Sequence, residues 1–412
     1  MKHIKLDSIL LFVLLIPFIM SYRLGPGDTP YWLFGLIFLG LFTYIVLDLL
    51  RLKDSLYFRI KQILLWLLII GVIGSAFVSA IIVRHQTHPV YMIHDIVLQQ
   101  ESAIRFLLDG KNPYAISYFG TPLEQWHYSD KEVNPALYHF VMQPFYLLFA
   151  LPFYFLSNTT IGYFDGRIPL LFLFLTLLIL AGILAKDREK KLLFIILLAF
   201  NPAMLSYTLE GRSDIFMFSF LFVGLFLLHK KQYLWAGVPI AFSFAVKQSV
   251  WPILPFYIAF LYFKTKSITK TFKNILPFII VFLTIVLPFF LWDKKAFLDS
   301  TVFYLSGNVP HSYPISGYGF GTMLHQMGHI KDVNAYYPFI IWQAIIGIPL
   351  LIVTLKYLKS RPGIGRMMLA YGIFLFVFWY FSRYFNNSHL GYLSMVLISA
   401  YFLPENDKFE KE

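Results

Sequence analysis

Residues 274–292 read Asn-Ile-Leu-Pro-Phe-Ile-Ile-Val-Phe-Leu-Thr-Ile-Val-Leu-Pro-Phe-Phe-Leu-Trp and carry no charged side chain. About 20 such residues are what a helix needs to cross the hydrocarbon core of a bilayer. Runs of the same character recur along the 412 residues, of which 58% are hydrophobic and only 14% are charged. A soluble core cannot hide so much apolar surface. We therefore predict an all-α, polytopic transmembrane protein.

The number of crossings follows from the basic clusters between the apolar runs. Thirteen segments are candidate spans, at about residues 8–22, 31–48, 62–83, 137–156, 168–185, 192–209, 213–229, 233–247, 249–263, 274–292, 338–356, 367–384 and 389–403. The clusters hold 20 of the 34 cations and belong in the cytoplasm by the positive-inside rule. They comprise Lys2 and Lys5; Arg51, Lys53, Arg59 and Lys61; Lys186, Arg188, Lys190 and Lys191; Lys230 and Lys231; Lys264, Lys266, Lys270 and Lys273; and Lys356, Lys359, Arg361 and Arg366.

Thirteen full crossings do not fit these cytoplasmic clusters. They would put residues 84–136 and the basic cluster at 186–191 on the same side of the membrane. One candidate between 137 and 209 therefore does not span, and the suspects contain Gln143-Pro144 or Asn201-Pro202, since proline frees backbone carbonyls that lipid cannot satisfy. We expect about twelve spans with both termini inside. The chain, 1–412, then forms one domain with long outer loops at 84–136 and 293–337.

The overall charge excludes several function classes. The net charge is +12, but the cations lie in short clusters between apolar runs, which favours contact with anionic membrane lipids and argues against nucleic-acid binding. The chain has no cysteine, which rules out disulfides, thiolate nucleophiles and cysteine-based metal sites.

The first outer loop contains the polar stretch Tyr-Met-Ile-His-Asp-Ile-Val-Leu-Gln-Gln-Glu-Ser-Ala-Ile-Arg-Phe-Leu-Leu-Asp over residues 91–109. Its spacing predicts an amphipathic helix with Asp95, Gln99 and Ser102 on the polar face, lying in the outer interface and stopped by Gly110. Asp95 is the strongest candidate for chemistry. The alternative is an acid that only stabilises the first helical turn. Arg105 is expected to pair with Glu101 one turn away.

Other candidates are ionisable residues at or within the apolar segments, where charge is costly unless it faces a cavity. They are Lys247, Arg212, Asp214, Arg383 and His389, with His311 in the second outer loop. Lysine and arginine at such positions suit an anionic phosphate. Snorkelling to the interface explains each cation equally well, and Lys247 also fits a tight turn between two short helices.

His94, Asp95 and Glu101 are residue types that can bind a metal. His94 precedes Asp95 and either tunes its ionisation or binds a metal together with Glu101. No recognised metal-ligand spacing is present, so we favour a site without a metal or other cofactor.

The order of these features resembles the GT-C superfamily of membrane glycosyltransferases, and within it glycosyltransferase family 87 and the polyprenyl-phosphate mannosyltransferase-like group. The resemblance is carried by Asp95 with Leu107-Leu-Asp-Gly-Lys-Asn-Pro-Tyr114, Asn134-Pro-Ala-Leu137, Asn201-Pro202 leading to Gly211-Arg-Ser-Asp214, and Lys247 before Pro252 and Pro255. It covers about residues 90–260 in order and extends more loosely to 400. Many relatives have a double acid and a Tyr-Pro-Pro pattern, whereas here His94 precedes Asp95 and Asn134 replaces the first proline.

The resemblance implies a GT-C-type fold and an inverting glycosyltransferase of the inner membrane whose active site faces away from the cytoplasm. The donor would be a polyprenyl-phosphate hexose, mannose being one candidate, and the acceptor a lipid, glycan or protein. Asp95 would be the catalytic base. The lipid phosphate and substrates would be bound by Lys247, Arg383, His311, His389, Asp214, Arg212 and His94.

Two other classes of function compete with this interpretation. In a transporter or flippase of lipid-linked or small polar substrates, Lys247 and Asp214 would bind substrate at the midplane. No inverted repeat is visible in the sequence, and the polar residues concentrate in outer loops. In a scaffold or polymerase-type glycan assembly protein, 293–337 rather than 84–136 would be essential.

Overall fold

The computed structural model describes residues 4–21, 30–127, 133–185 and 187–403. This part of the chain is almost entirely helical. The helices are α1 Leu6–Ser21, α2 Tyr31–Val46, α3 Asp54–Ile69, α4 Ser75–Gln86, α5 Asp95–Leu108, α6 Phe145–Leu148, α7 Leu151–Thr160, α8 Arg167–Leu184, α9 Arg188–Ala199, α10 Leu205–Leu209, α11 Asp214–His229, α12 Tyr233–Phe244, α13 Leu254–Thr265, α14 Ile268–Trp292, α15 Lys294–Leu298, α16 Tyr304–Ser306, α17 Phe320–Gln326, α18 Phe339–Ser360, α19 Ile364–Tyr380 and α20 Asn387–Phe402. Two short parallel strands, β1 Ser316–Gly317 and β2 Tyr384–Phe385, pair with each other.

Short 3₁₀- and π-helical turns connect several of these elements. Turns of 3₁₀-helix cover Leu47–Leu49, Pro122–Gln125, Pro135–Leu137 and Gln248–Ile253, and π-helical turns cover Ile70–Gly74 and Asp299–Phe303. The turn at Ile70–Gly74 joins α3 and α4 into one continuous rod.

Long apolar helices dominate the described residues, as the composition predicts. Five are long and apolar enough to cross a bilayer: Tyr31–Leu49, Asp54–Gln86, Arg167–Leu184, Ile268–Trp292 and Phe339–Ser360. Four shorter apolar helices, Leu6–Met20, Asp214–His229, Tyr233–Phe244 and Ile364–Tyr380, accompany them. The exposed side chains of α14 include Leu276, Ile280 and Leu283, which suit contact with lipid. The chain is a membrane protein, and the twelve-span count stays a prediction.

The two proline-containing suspects are both interrupted. The segment 137–156 is divided among a 3₁₀ turn, the four-residue α6 and the ten-residue α7. Helix α9 ends at Ala199 after twelve residues, and Asn201-Pro202 leads into the five-residue α10. The proline breaks are therefore confirmed, while the side on which each piece lies is not tested.

The core of the bundle forms around α11, which is buried along most of its length. It packs against α8 and α12, and α12 packs against α14. Gly224 permits the close approach of α12, since a Cβ there would lie 2.4 Å from the Ile240 side chain. The second group of helices, α18 to α20, meets this core through α13 and α9. The N-terminal ends of α11 and α20 carry candidate site residues.

Lys61, from one of the basic clusters, is bound inside the protein. It is fully buried, and its Nζ lies 2.9 Å from Asp7 Oδ2 and 2.6 Å from Asp48 Oδ1. The hydroxyls of Tyr44 and Tyr57 donate to the same two carboxylates. This network ties α1, α2 and α3 together. Lys2 and Lys186, of the predicted basic clusters, lie outside the described residues.

Helix α5 is present, but its expected half-exposed, interfacial setting is wrong. Every residue from Ile96 to Ile104 is buried. The polar face points into the protein, where Gln99 Nε2 donates to the carbonyls of Ala136 and His139 at 2.5 and 2.8 Å. The expected pair of Glu101 and Arg105 is also wrong, because Glu101 binds Arg84 from α4 and Arg105 is exposed.

Candidate functional site

Asp95 is the first residue of α5, and its carboxylate is held from two sides. His94 Nδ1 lies 2.6 Å from Oδ1, and Asn134 Nδ2 donates to Oδ2 at 3.2 Å. His94 Nδ1 also lies 3.3 Å from the backbone nitrogen of Ile96. One ring nitrogen cannot donate and accept at once, so the shorter contact identifies Nδ1–H as a donor to Asp95. The Asp95 side chain stays 14% exposed, which leaves it open to a substrate.

The surroundings of Asp95 keep it ionised. Burial raises the pKa of the carboxyl, but the charge and hydrogen bond of His94, the hydrogen bond of Asn134 and the charge of Arg212 outweigh burial. Its pKa therefore lies below the ordinary value for aspartate. At neutral pH the side chain is a carboxylate, which is the form able to accept a proton.

The turn before α11 packs directly against α5. The backbone nitrogen of His94 donates to the Glu210 carbonyl at 2.8 Å. Gly211 follows with φ +88°, and a Cβ at this position would lie 2.4 Å from Val97 of α5. Only glycine combines this left-handed backbone with so close an approach. The packing brings Arg212 and Asp214 to the same end of the bundle as Asp95.

Asp214 and Lys247 form an ion pair across two helix ends. Lys247 Nζ lies 2.8 Å from Asp214 Oδ1, with Asp214 almost buried and Lys247 still 23% exposed. Lys247 lies in the short connection between α12 and the turn at Gln248–Ile253, so the turn predicted as one alternative is correct. An ammonium group has three donors, and within the described part of the chain the bond to Asp214 uses one of them, which leaves two for a ligand.

Arg212 and His389 present donors that are not used within the described residues. Arg212 Nε lies 3.3 Å from Glu210 Oε2 and its guanidinium stacks over Tyr207 at 4.1 Å, while no partner is found there for its two terminal nitrogens. His389 Nδ1 accepts from the backbone nitrogen of Asn386 at 3.1 Å. The neutral ring therefore carries its hydrogen on Nε2, and that donor is free for a ligand.

An apolar groove of about 680 Å³ is lined in part by His389 and Arg383. Its walls are the segment after Lys247, the α15–α16 region, the start of α18 and the end of α19; they include Gln248, Trp251, Pro252, Pro255, Val302, Leu305, Tyr337, Phe339, Phe374, Phe378 and Trp379. Its aromatic and aliphatic walls suit a hydrocarbon chain. Because Gln248 and His389 both line it, the groove adjoins the Lys247–Asp214 pair.

Buried charges beneath the site fix the start of α5. Arg84 binds both carboxylate oxygens of Glu101 at 2.8 Å and also Asp165 at 2.8 Å. Arg167 Nη2 binds Asp165 at 2.8 Å, and its Nη1 donates to the Met92 carbonyl at 3.3 Å. Met92 has φ +46°, a conformation uncommon for such a residue. Two arginines and two acids balance each other here, so this is a support for α5 rather than a binding site.

Arg383 lines the same groove as His389, whereas His311 lies at a separate cavity. The three nitrogens of the Arg383 guanidinium donate to the carbonyls of Tyr313, Ala335 and Val333 at 2.5, 2.7 and 3.0 Å. Arg383 therefore fastens the second outer loop. His311 stacks on Tyr138, just after the first outer loop, at a separate cavity.

Two contributors were missed from the sequence. Asn134 appeared there as part of a motif and as a replacement for proline, with no role of its own, yet it binds Asp95 and caps the turn at Pro135–Leu137. Arg84 sits at the end of an apolar run, and an arginine in that position is itself a signal of a buried partner. Within the described residues, no group of three or more His, Asp or Glu side chains is arranged to hold a metal ion.

Comparison with known proteins adds one match. A protein-family model described as Glycosyltransferase family 87 matches residues 140–398, more than half of the chain. Arg212, Asp214, Lys247, His311, Arg383 and His389 fall inside the matched range, whereas His94 and Asp95 precede it. Neither the curated proteins nor the solved structures gave a match.

Proposed function

Because the chain belongs to glycosyltransferase family 87 and is a membrane glycosyltransferase, we propose that it transfers a hexose, with mannose as the first candidate, from a polyprenyl-phosphate donor. The acceptor is a hydroxyl group on a lipid, glycan or protein. The observation that carries the proposal is the ionised, partly accessible Asp95 carboxylate near Arg212, whose terminal nitrogens have no partner within the described residues. Family membership favours this function over transport.

In the proposed reaction Asp95 is the general base. The acceptor oxygen attacks the anomeric carbon while Asp95 takes its proton, and the bond from that carbon to the phosphate oxygen breaks. The electron pair leaves with the polyprenyl phosphate, and attack from the opposite face inverts the anomeric centre. A positioned base contributes about 10²–10⁴-fold to such a step. We assign it no metal or other cofactor.

The departing phosphate is stabilised by donors from three elements. Arg212 offers two terminal nitrogens, Lys247 the remaining protons of its ammonium group, and His389 its Nε2–H. Preorganised donors aimed at developing negative charge are often the largest contribution to catalysis. The groove lined by His389 takes the polyprenyl chain, which puts the phosphate next to these donors.

The cellular setting belongs to the same proposal. A GT-C-type fold with about twelve spans in the inner membrane would put this site on the extracytoplasmic face, where a donor must arrive attached to lipid. Membrane lipids surround the helices, and nucleic acid has no part in the reaction.

A donor panel tests the proposal. The purified protein is incubated with a membrane lipid extract and radiolabelled polyprenyl-phosphate mannose, glucose or galactose, and in parallel with nucleotide-linked hexoses. We expect transfer from a lipid-linked donor and none from the nucleotides. Arg212→Gln should raise the donor KM about tenfold or more, whereas Arg105→Gln, exposed on α5, should not. Direct use of a nucleotide-linked hexose, or an unchanged donor KM in Arg212→Gln, contradicts the proposal.

A further inference from the structure

A small cavity of about 250 Å³ lies between the first turns of α3 and α9. Ser55, Arg59 and Gln62 of α3 line it together with Arg188 and Lys191 of α9. Residues three, four and seven positions apart share one face of a helix, so each helix turns a polar face toward the cavity. The two helices pack against each other, which fixes these faces side by side.

The cavity lies at the opposite end of the molecule from Asp95. The rod formed by α3 and α4 runs over 33 residues, from Asp54 to Gln86, which corresponds to about 50 Å at the rise of an α-helix. The cavity is at its start, and Arg84, which supports α5, is near its end. The rod is long enough to cross a bilayer, so the cavity lies at the level of one membrane surface. The basic clusters predict that this surface is the cytoplasmic one.

The protein does not neutralise the three cations of the cavity. In the part of the chain that the structure describes, no carboxylate forms an ion pair with Arg59, Arg188 or Lys191. Asp187 and Glu189, which flank Arg188, pair instead with lysines outside the cavity at 3.5 and 2.7 Å. Three neighbouring positive charges repel one another, so an anion bound between them is favoured.

Neutral side chains complete a preformed anion site. The Ser55 hydroxyl and the Gln62 amide have no hydrogen-bond partner among the described residues. The guanidinium carbon of Arg188 lies 5.9 Å from the centre of the Phe58 ring, a cation–π contact that orients it. Lys61, next to Gln62, ties α3 to α1 and α2 through its two carboxylate partners, so this wall of the cavity is fixed.

The surface beside the cavity suits hydrocarbon chains. Leu56, Ile63, Leu67 and Ile70 of the same rod are exposed along the direction that leads into the membrane. Pockets that enclose a whole small-molecule ligand usually measure about 300–1,000 Å³, and this cavity is smaller. Its dimensions therefore fit a headgroup whose chains stay outside, on the exposed apolar side of α3.

We propose that this cavity binds the headgroup of an anionic phospholipid from the cytoplasmic leaflet. Arg59 and Arg188 match the oxygens of a phosphate with paired donors, and Lys191 adds a point charge. Basic pockets between transmembrane helices on this side of a membrane suit such headgroups. A zwitterionic lipid brings an ammonium group next to its phosphate, and the three cations repel it. The site is independent of the transfer reaction, because it lies on the other membrane face.

Lipid selectivity is the first test. Full-length protein in a neutral detergent is titrated with phosphatidylglycerol and with phosphatidylcholine of the same acyl chains, and bound lipid is counted by native mass spectrometry. We expect phosphatidylglycerol to bind at least about tenfold more tightly. Equal affinity for the two lipids overturns the proposal. Inorganic phosphate is added as a competitor, and displacement of phosphatidylglycerol at equal concentration would identify a free-phosphate site and overturn the assignment to lipid.

Matched double variants locate the binding. Arg59→Gln with Lys191→Gln removes two charges from the cavity, and Lys359→Gln with Arg361→Gln removes the same two charges from exposed positions of another basic cluster. Only the first should weaken phosphatidylglycerol binding, by about tenfold or more. Phosphatidylcholine binding should match that of the parent in both, as expected of folded proteins. Equal losses in the two variants would assign the affinity to overall charge and overturn the proposal.

Gln62→Glu provides a second test that removes no cation. The substitution keeps the shape of the side chain but places a carboxylate inside the cavity. It should weaken phosphatidylglycerol binding by about tenfold, because the new charge repels the phosphate and pairs with the cations. An unchanged affinity for phosphatidylglycerol in Gln62→Glu would show that the headgroup binds elsewhere.

Discussion

The charge state of Asp95 is determined by the residues that surround it in the fold. Its position at the start of a helix was visible in the sequence, and so was His94 beside it. Asn134 and Arg212, which also lower its pKa, lie 39 and 117 positions away along the chain. No helical periodicity connects residues so far apart. The acid was therefore predictable as a candidate, while its charge state needed the fold.

His94→Asn tests the charge state directly. Asparagine keeps a good helix N-cap but removes the imidazole charge that lowers the pKa of Asp95. Since the base works only when ionised, kcat/KM of the parent should fall only below the ordinary aspartate pKa of about 3.9. In the variant the Asp95 pKa rises, so the acid limb should move to higher pH. The measurement is a pH profile of kcat/KM.

The matched control is His88→Asn, at an exposed position before α5. Its acid limb should coincide with that of the parent. An acid limb in His94→Asn that stays in place, or moves to lower pH, would show that His94 does not set the ionisation of the base.

Helix α5 illustrates the limit of periodicity at the scale of an element. The spacing predicted a helix at 91–109, and the structure has it at Asp95–Leu108. The spacing also predicts that the polar face is exposed, because polar side chains usually point to water. Here Gln99 is bonded to carbonyls of a later segment and Glu101 to Arg84, so the polar face is satisfied by protein. Only tertiary structure supplies those partners.

The Arg84–Glu101 contact should be important for stability. Removing one partner of a buried ion pair costs about 3–5 kcal/mol, because a buried charge is left without its counter-charge. Glu101→Gln keeps the shape of the side chain and the acceptor for the Gly166 amide but removes the charge. We expect a clearly lowered melting temperature in detergent, followed by intrinsic fluorescence.

Glu124→Gln provides the comparison for that experiment. Glu124 is exposed, and surface changes of this kind usually alter stability by no more than about 0.5 kcal/mol. Equal melting temperatures for the two variants would mean that the Arg84 network does not secure α5.

At the scale of the whole molecule, composition predicts a helical membrane protein. It does not predict which of the shorter segments cross the membrane. The five long helices follow from apolar length alone. The shorter pieces, such as α9 and α10 around Asn201-Pro202, cannot be assigned to a side by length, because proline and tertiary packing decide where they turn. The segment just after the first outer loop contacts the second outer loop, as in the bond between His139 and Pro310. Hydropathy gives no sign of such a contact.

The absence of cysteine from the chain makes the topology directly testable. Gln326→Cys lies at an exposed position of the second outer loop, and Lys270→Cys at an exposed position of a basic cluster. With a membrane-impermeant maleimide on intact cells, we expect Gln326→Cys to be labelled and Lys270→Cys to be labelled only after permeabilisation. Labelling of both from one side would refute the proposed orientation.

The most direct measurement for the whole molecule's function is turnover of Asp95→Asn with a polyprenyl-phosphate hexose and membrane lipid extract. The substitution keeps the size of the side chain but removes the base, so kcat should fall by about 10²–10⁴-fold with the donor KM unchanged. Asp109→Asn, at the exposed opposite end of α5, should turn over like the parent. Near-normal turnover by Asp95→Asn would contradict the assignment of Asp95 as the catalytic base.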